Sequence, residues 1–239
     1  MIVRVAVLPH PPLLVPEVAA GAAGETALLR AACLTASRAL ARVSTRWVAV
    51  ASAAPESGGT SVGTFAGYGV DVRVGLEPRA GFCRESQPLP LLVAGWLRGQ
   101  VAAGEVTVHP ETVAPGTPPP ECAAAGRRLA QQLGGPEPVG LLVLGDGAAT
   151  HTPAAPGYFD PRAEAFDAGV SAALAAADAD ALLRLDAGLA AQLRVAGREA
   201  WQVGAAAARV AASAWRGELL HSSVPYGVAY HVALWEPAT

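Results

Sequence analysis

Lysine is absent from this 239-residue chain, and all 17 of its basic residues are arginine. Schiff-base catalysis and a P-loop both depend on a lysine side chain, so the sequence excludes these two kinds of site. Charge is also low, because only 15% of the residues are charged and the formal net charge is −3. Since the arginines form no basic stripe, we expect no nucleic-acid partner.

Cysteine is scarce and widely spaced. The chain has only Cys33, Cys83 and Cys122, with no CxxC pair, so the sequence supports neither a zinc ribbon nor a disulfide framework. No stretch approaches the ~20 uninterrupted apolar residues that cross a bilayer. The first residues show no basic leader followed by a long apolar run. We therefore expect a cytoplasmic protein without a membrane partner.

Apolar residues are plentiful, at 52% of the chain, which argues against disorder. Short apolar runs alternate with longer segments of helical spacing, as in α/β proteins. This pattern predicts strands at 2–8, 47–52, 106–109 and 139–144, and helices at 24–43, 89–103, 121–133, 161–177 and 198–215. Residues 218–223 and 228–235 flank a Pro-Tyr-Gly turn and predict an antiparallel hairpin.

Together these elements predict one α/β domain that spans residues 1–239. Because buried apolar strands that alternate with helices usually form a parallel sheet, we expect a central, mostly parallel or mixed sheet with helices on both faces. The C-terminal hairpin would form its antiparallel edge. The alanine-rich stretch 175–191 keeps helical spacing, and we interpret it as helix rather than as a linker.

A histidine follows the first predicted strand. His10 lies in the run LPHPPLLVPE, residues 8–17, whose prolines end the strand and restrict the backbone on both sides of the imidazole. Open α/β sheets place ligand and metal groups at the carboxyl ends of their strands. His10 is therefore a candidate metal ligand, and the alternative is a histidine in a surface turn.

A glycine-containing loop, GDGAATH at residues 145–151, follows the fourth predicted strand. Its two glycines imitate the start of a dinucleotide-binding fingerprint, but the third glycine is absent, and Pro153 and Pro156 prevent a helix from beginning there. The loop still offers Asp146 and His151 as candidate catalytic residues. The alternative for Asp146 is a turn residue that caps its own loop, as is common for aspartate beside glycine.

Residues 156–167, PGYFDPRAEAFD, form a third unusual run. Asp160 before a proline is a good helix start, and Glu164 in the first turns complements the helix dipole. A helix start does not account for Tyr158 or Arg162, so the run is also a candidate functional segment.

In this order, the three runs resemble the class III extradiol ring-cleavage dioxygenases, and within that group the subunit-B-like branch related to the Memo proteins. The resemblance covers essentially the whole chain. It implies a non-haem Fe(II) enzyme in which two histidines and a glutamate hold the iron, leaving positions for a catecholate and O₂. A further histidine acts as acid and base in that family. His10 matches the first iron histidine.

The remaining site positions depart from the family pattern. Ala54 stands where the second iron histidine is expected, Ala149 at the acid/base histidine and Val195 at the glutamate. His151 lies two residues beyond the acid/base position, and Glu199 is near the glutamate position but out of register. Because the affinity of a metal site depends on the number and geometry of its ligands, the resemblance implies a degenerate iron site.

Two hypotheses follow for the cleft that such a fold would retain. In the first, the iron site has eroded, no cofactor is required, and the cleft binds a small molecule, such as an aromatic ligand, or a protein partner. In the second, the chain is an active Fe(II)-dependent dioxygenase with relocated ligands. That site would combine His10 and His151 with one carboxylate, for which the candidates are Glu56, Glu85 and Glu199.

A third hypothesis is a non-enzymatic adaptor or assembly subunit, for instance a homodimer. The predicted hairpin carries Tyr226, Tyr230 and Trp235, which either form an interface or pack the last strands against the sheet. The three hypotheses differ on whether the chain is an enzyme. They also assign different roles to His10, which either binds a metal or is held in place by its rigid turn.

Overall fold

The computed structural model describes residues 1–54, 61–78, 87–101, 105–212 and 214–238. Its helices are α1 (Pro16–Ala19), α2 (Ala27–Ala41), α3 (Leu89–Val101), α4 (Pro119–Gln132), α5 (Ala163–Ala176), α6 (Ala179–Leu183), α7 (Ala187–Gln192) and α8 (Arg198–Ala211). Its strands are β1 (Ile2–Leu8), β2 (Arg46–Ser52), β3 (Val62–Thr64), β4 (Arg73–Gly75), β5 (Thr107–Val113), β6 (Val139–Leu144), β7 (Trp215–Ser223) and β8 (Tyr230–Pro237). Short 3₁₀ turns lie at Pro12–Leu14, Ala20–Ala22, Phe65–Tyr68 and Pro225–Gly227.

Six strands form one sheet in the order β5-β2-β6-β1-β8-β7. Strands β5, β2, β6 and β1 are parallel to one another, whereas β8 runs antiparallel to β1 and β7 runs antiparallel to β8. Strands β3 and β4 form a separate antiparallel ribbon. The structure therefore confirms the predicted single α/β domain, with a mostly parallel sheet and a C-terminal antiparallel hairpin.

Helices cover both faces of this sheet, which explains why its central strands are apolar throughout. Every residue of β6 is buried, as expected for a parallel strand between two layers of helices. On one face, Val143 of β6 belongs to a core with Val170 of α5 and Trp201 of α8. On the other face, Leu142 belongs to a core with Leu40 of α2. The prediction of helices on both faces is confirmed.

Several helices are shorter than their predicted extents. The predicted helix 198–215 is wrong at its end, because α8 ends at Ala211 and β7 begins at residue 215. The alanine-rich stretch 175–191 contains two short helices, since the side chains of Asp178 and Asp186 each cap a new one. Aspartate favours a helix start over a helix interior. In the part of the chain that the structure describes, no helix has the length and apolarity to traverse a bilayer.

Two features of the strands also differ from the prediction. Strand β5 continues to Val113, beyond the predicted 106–109, although it contains Pro110. Because β5 lies at the edge of the sheet, a residue without an N–H group is tolerated there. Strands β3 and β4 have three residues each and were not predicted, since so short a run shows no period.

The aromatic residues of the hairpin lie in two different environments. Tyr230 and Trp235 are buried, and the Trp235 Nε1 donates a hydrogen bond to the Leu174 carbonyl at 2.8 Å. Tyr226 is exposed at the turn, where its hydroxyl donates to Glu25 at 2.7 Å. Tyr230 and Trp235 therefore pack the last strands into the domain.

Candidate functional site

Two of the predicted site residues meet at the ends of neighbouring strands. Leu8 of β1 pairs with Leu144 of β6 in parallel register, and His10 and Asp146 each lie two residues further on. The His10 backbone N–H donates to the Asp146 Oδ1 at 2.7 Å, and the His10 Nδ1 lies 3.5 Å from the same oxygen. Asp146 therefore binds across to the segment after β1 instead of capping its own loop.

The His10–Asp146 pair is withdrawn from water. His10 is only 7% exposed, so the alternative of a surface-turn histidine is wrong. Burial raises the pKa of the Asp146 carboxyl above its usual range, while the charge and backbone N–H of His10 and the charge of His231 act in the opposite direction. The 3.5 Å from the His10 Nδ1 is too long for a good hydrogen bond, and this buried ring nitrogen has no hydrogen-bond partner among the described residues.

The loop after β6 is joined to the residue before β8 by backbone hydrogen bonds. Gly147 N–H donates to the Ala229 carbonyl at 2.8 Å, and Ala229 N–H donates to the Ala148 carbonyl at 2.9 Å. A Cβ on Gly147 would lie 2.4 Å from the Asp167 Oδ1 and 2.8 Å from the Ala229 Cβ. Glycine at this position therefore allows the loop to approach both α5 and β8.

Asp167 of α5 is the centre of a second cluster, and the sequence prediction did not include it. Its Oδ2 accepts the Ala148 backbone N–H at 3.1 Å and lies 2.6 Å from the His151 Nε2. Its Oδ1 lies 3.3 Å from the His231 Nε2. One buried carboxylate therefore holds two imidazole rings, each through a different oxygen, and His151 belongs to this cluster and not to that of His10.

His231 is also connected to a serine across the hairpin. Ser222 of β7 and His231 of β8 are register partners, so their side chains lie on the same face of the sheet. The Ser222 Oγ lies 3.0 Å from the His231 Nδ1. His231 is 2% exposed, whereas Ser222 lies at the surface. These contacts form a continuous path from solvent through Ser222 and His231 to Asp167.

The same side chains line a cleft of about 410 Å³, which we call the histidine cleft. Its lining includes His151, Phe159, Glu164, Asp167, Ser222 and His231. Phe159 is 51% exposed, and Glu164 lies in the first turn of α5. Within the described ranges, no residue forms a hydrogen bond or an ion pair with the Glu164 carboxylate. The histidine cleft therefore offers an aromatic ring, an available carboxylate and two imidazoles.

Asp160 and Arg162 pair with each other beside this cleft. Arg162 donates through Nε and Nη2 to the Asp160 carboxylate at 2.9 and 2.6 Å, and these hydrogen bonds lower the pKa of Asp160 to about 2. Helix α5 begins at Ala163, and Asp160 accepts the Arg162 backbone N–H just before it. Arg162, which the helix-start interpretation left unexplained, therefore neutralises the carboxylate at that turn.

Glu199, one of the carboxylates considered for a relocated iron site, is buried at a different cleft. Its Oε1 accepts from the Arg198 Nη2 at 2.6 Å and from the Gly116 backbone N–H at 2.8 Å. This second cleft, of about 540 Å³, lies at the carboxyl ends of β2 and β5 and includes Val195. Glu199 is satisfied by an arginine and a backbone N–H, which makes it a poor candidate for a metal ligand.

The residues described do not fit a facial iron triad. The positions that the resemblance assigns to the missing ligands and to the acid/base histidine hold Ala54, Ala149 and Val195. His10 and His151 contact different carboxylates, and across the described ranges no group of three His, Cys, Asp or Glu side chains is arranged to hold a metal ion. Glu56 and Glu85, the other two carboxylates considered, lie outside the described residues.

The sequence prediction missed Asp167 and His231, two residues of the histidine cleft, although each is a polar residue in a buried, mainly apolar pattern. Asp167 ends the run 156–167 and falls on the buried face of α5 with Phe166 and Val170. His231 is a polar residue in the buried, mainly apolar part of β8. A buried polar side chain requires a partner, so each residue indicated a polar cluster without revealing its other members.

Comparisons with known proteins provide little further information. No protein-family model matches the chain, and no curated protein matches it. Among solved structures, the crystal structure of the uncharacterized protein JW3007 from Escherichia coli K12 covers 98% of this chain and 99% of its own, at 12% identity and a TM-score of 0.46. A likeness this distant carries no functional inference, and the extradiol-dioxygenase resemblance stays a prediction.

Proposed function

We propose that this chain binds a small aromatic molecule with hydrogen-bond donor groups in the histidine cleft, and that it does so without Fe(II). The observation that carries the proposal is the Asp167 carboxylate, which holds His151 and His231 at the wall of the cleft. Ligand sites combine an apolar lining with a few convergent polar groups, and the histidine cleft has both. This proposal corresponds to the hypothesis of an eroded iron site.

The size of the histidine cleft suits a single-ring ligand. Its volume of about 410 Å³ lies near the small end of the range for ligand pockets, roughly 300–1,000 Å³. Phe159 and Val224 supply exposed apolar surface in its lining. A pair of aromatic rings contributes about 0.5–1.5 kcal/mol beyond the burial of apolar area. An aromatic ligand therefore gains contacts here that a purely polar molecule would lack.

The charges of the histidine cleft favour a ligand that donates hydrogen bonds. Glu164 contributes a carboxylate without a partner among the described residues, and Asp167 contributes one that two imidazoles share. Ionised carboxylates only accept hydrogen bonds, so they attract a phenolic hydroxyl or an ammonium group and repel an anion. We therefore propose phenols, catechols and aromatic amines as ligands, and not aromatic acids.

Calorimetric titration with dopamine and protocatechuate tests this proposal, because one catechol carries an ammonium group and the other a carboxylate. We expect dopamine to bind at least about tenfold more tightly, a difference of about 1.4 kcal/mol. Glu164→Gln should weaken dopamine binding by about the same factor. Glu218→Gln, which changes an exposed carboxylate of β7 outside the cleft, should leave it unchanged. Equal affinities of wild type and Glu164→Gln would contradict the proposal.

Iron analysis distinguishes this proposal from a dioxygenase with relocated ligands. After anaerobic purification and addition of Fe(II), we expect well under one iron per chain in wild type and in His10→Ala alike, because a site needs several convergent ligands. Stoichiometric iron that is lost in both His10→Ala and His151→Ala would instead support the Fe(II) enzyme.

The proposal includes a cytoplasmic location. Cys33 and Cys122 are buried free thiols, and thiols remain reduced in the cytosol.

If neither catechol binds at millimolar concentration, the adaptor hypothesis replaces the proposed ligand-binding function.

A further inference from the structure

We propose that Ser222 is the nucleophile of an acyl-transfer site in the histidine cleft, with His231 as its general base and Asp167 as the residue that positions this base. The inference rests on the proposed function in one respect, because the ester would bind in the same histidine cleft as the proposed aromatic ligand. It adds a reaction to what is otherwise a binding site, and the substrate class is a small aromatic ester.

The three side chains are connected in the order that nucleophilic catalysis by serine requires. The Ser222 Oγ lies 3.0 Å from the His231 Nδ1, and the His231 Nε2 lies 3.3 Å from the Asp167 Oδ1. Such sites are recognised by these contacts and not by the order of residues in the chain, and their hydrogen bonds are often loose before substrate binds. Here Nδ1 faces the serine and Nε2 the carboxylate, and either ring nitrogen can act as the base.

Asp167 fixes the tautomer of His231. An ionised carboxylate only accepts, so Asp167 takes hydrogen bonds from the Ala148 backbone N–H and from the Nε2–H groups of His151 and His231. With its proton on Nε2, a neutral His231 has a lone pair on Nδ1. The Ser222 hydroxyl is then the donor in its contact with His231, and its proton already points to the base.

The arrangement exposes the nucleophile and shields the groups behind it. Ser222 lies at the surface and lines the histidine cleft, whereas His231 and Asp167 are both buried. The interaction between an imidazole and a carboxylate is stronger at low local dielectric than in water. A substrate in the cleft therefore meets the serine oxygen first, with its base held in one orientation behind it.

The neighbouring serine on the same strand provides a contrast. The Ser223 Oγ lies 2.7 Å from the His221 Nε2, but these two side chains lie on the opposite face of β7 from Ser222. No described carboxylate is hydrogen-bonded to His221. Ser223 thus has a histidine partner without a positioning carboxylate, and it does not line the histidine cleft. Ser223→Ala is therefore the matched control for Ser222→Ala.

The proposed reaction is ester hydrolysis in two steps. The Ser222 Oγ attacks the carbonyl carbon while its proton moves to the His231 Nδ1, and the bond to the alcohol oxygen breaks as that oxygen takes the proton. Water then attacks the acyl-serine and gives a proton to the same nitrogen, which returns it to the Ser222 Oγ as the acid departs. Ester and water are consumed, acid and alcohol are released, and no redox change occurs.

The charge of the histidine cleft determines the kind of ester. Arg162 neutralises Asp160 and two imidazoles share Asp167, so Glu164 is the carboxylate without a partner among the described lining residues. This carboxylate favours a neutral or ammonium-bearing ester and repels one that carries a second carboxylate. We expect phenylalanine methyl ester to be hydrolysed at least about tenfold faster than monomethyl phthalate, a difference of about 1.4 kcal/mol in the barrier.

Labelling with a fluorophosphonate tests the nucleophile directly, because this probe modifies activated serines. We expect one adduct per chain, which peptide mass spectrometry should locate on Ser222. Ser222→Ala should abolish the adduct, His231→Gln should slow its formation at least about tenfold, and Ser223→Ala should label at the wild-type rate. Absence of an adduct on Ser222, or equal labelling of the Ser222→Ala variant, would overturn the proposal.

The pH profile of labelling tests Asp167 as a positioning residue. In wild type, the rate should rise with pH and then level off, because a general base acts only in its unprotonated form. Asp167→Asn should lower this plateau and move the midpoint of the profile, because the base has lost its anionic neighbour. If Asp167→Asn only impaired folding, it would lower the rate without moving the midpoint of the profile. That result would show that Asp167 is not a positioning residue of the proposed site.

Dopamine titration separates this inference from the proposed function. If wild type binds dopamine but Ser222 is not labelled, acyl transfer is refuted and the binding function stands. If Ser222 is labelled but no aromatic ligand binds, the aromatic-ligand proposal is refuted and the nucleophile stands.

Discussion

A single carboxylate joins parts of the chain that are far apart in sequence. Asp167 lies on α5, and its contacts reach Ala148 and His151 in the loop after β6 and His231 in β8. Replacing a buried acceptor leaves its donors unsatisfied, which costs about 1–3 kcal/mol for each group. At the scale of single residues, the candidate site therefore depends on Asp167 at least as much as on His10, the residue that carries the family resemblance.

Tyr158 has a backbone conformation that tyrosine rarely adopts, and it directly precedes a residue of the histidine cleft. Its φ is +66° and its side chain is 68% exposed. Strained backbone of this kind is often found at functional sites. The ring itself contributes little packing, so the strain is not offset by burial.

We expect Tyr158→Gly to be more stable than Tyr158→Ala by about 0.5–1 kcal/mol. Both substitutions remove the ring, but only glycine relieves the left-handed strain, and part of that gain is offset by the freedom glycine adds to the unfolded chain. Urea unfolding of the two variants measures the difference. Equal stabilities would show that Tyr158 is not strained.

At the scale of elements, helices α4 and α8 pack closely because a glycine lies where they meet. A Cβ on Gly126 would lie 2.2 Å from the Val203 carbonyl oxygen and 2.7 Å from the Ala206 Cβ. These atoms belong to the backbone or are attached directly to it, so they cannot rotate away. Any side chain at this position would push the two helices apart.

Gly126→Ala is expected to lower the free energy of unfolding by about 1–3 kcal/mol, although alanine is the better helix former. Gly169→Ala is the matched control in α5, because an added Cβ there meets no atom within 4 Å. It should raise stability by about 0.5–1 kcal/mol. Denaturant unfolding of both variants should therefore give changes of opposite sign, and a gain for Gly126→Ala would contradict the described packing.

The elements that could be predicted from the sequence are those whose apolar pattern extends over enough residues to be recognised. Strand β6 is an uninterrupted apolar run, and its predicted bounds agree with the structure. The extension of β5 across Pro110 could not be predicted, because it depends on that strand lying at the sheet edge. The ribbon of β3 and β4 was missed because each strand has only three residues.

At the scale of the whole molecule, Asp146 links folding to pH. Burial raises its pKa in the folded state, whereas an aspartate in an unfolded chain has a pKa near ~3.9. Below that pH the carboxyl is protonated in both states and adds no pH dependence. As the pH rises from ~3.9 towards the folded-state pKa, the unfolded chain loses its proton first, so the free energy of unfolding falls.

Asp146→Asn isolates this effect, because an amide oxygen still accepts the His10 N–H but cannot ionise. We expect the stability of the variant, relative to wild type, to increase as the pH is raised from about 4 to about 7. Glu218→Gln, at an exposed carboxylate, should show no such trend. Urea unfolding across this pH range is the measurement, and a constant or decreasing difference for Asp146→Asn would refute the link.

The sequence by itself determined the fold class, most of the elements and three residues of the two clusters, His10, Asp146 and His151. It could do so because hydrophobic periodicity and proline or glycine signals are local. Only the tertiary structure decided that His10 pairs with Asp146 while His151 joins Asp167 and His231. Those contacts depend on which strands are neighbours and on where α5 crosses the hairpin. Contacts between such distant parts of the chain produce no periodic pattern in the sequence.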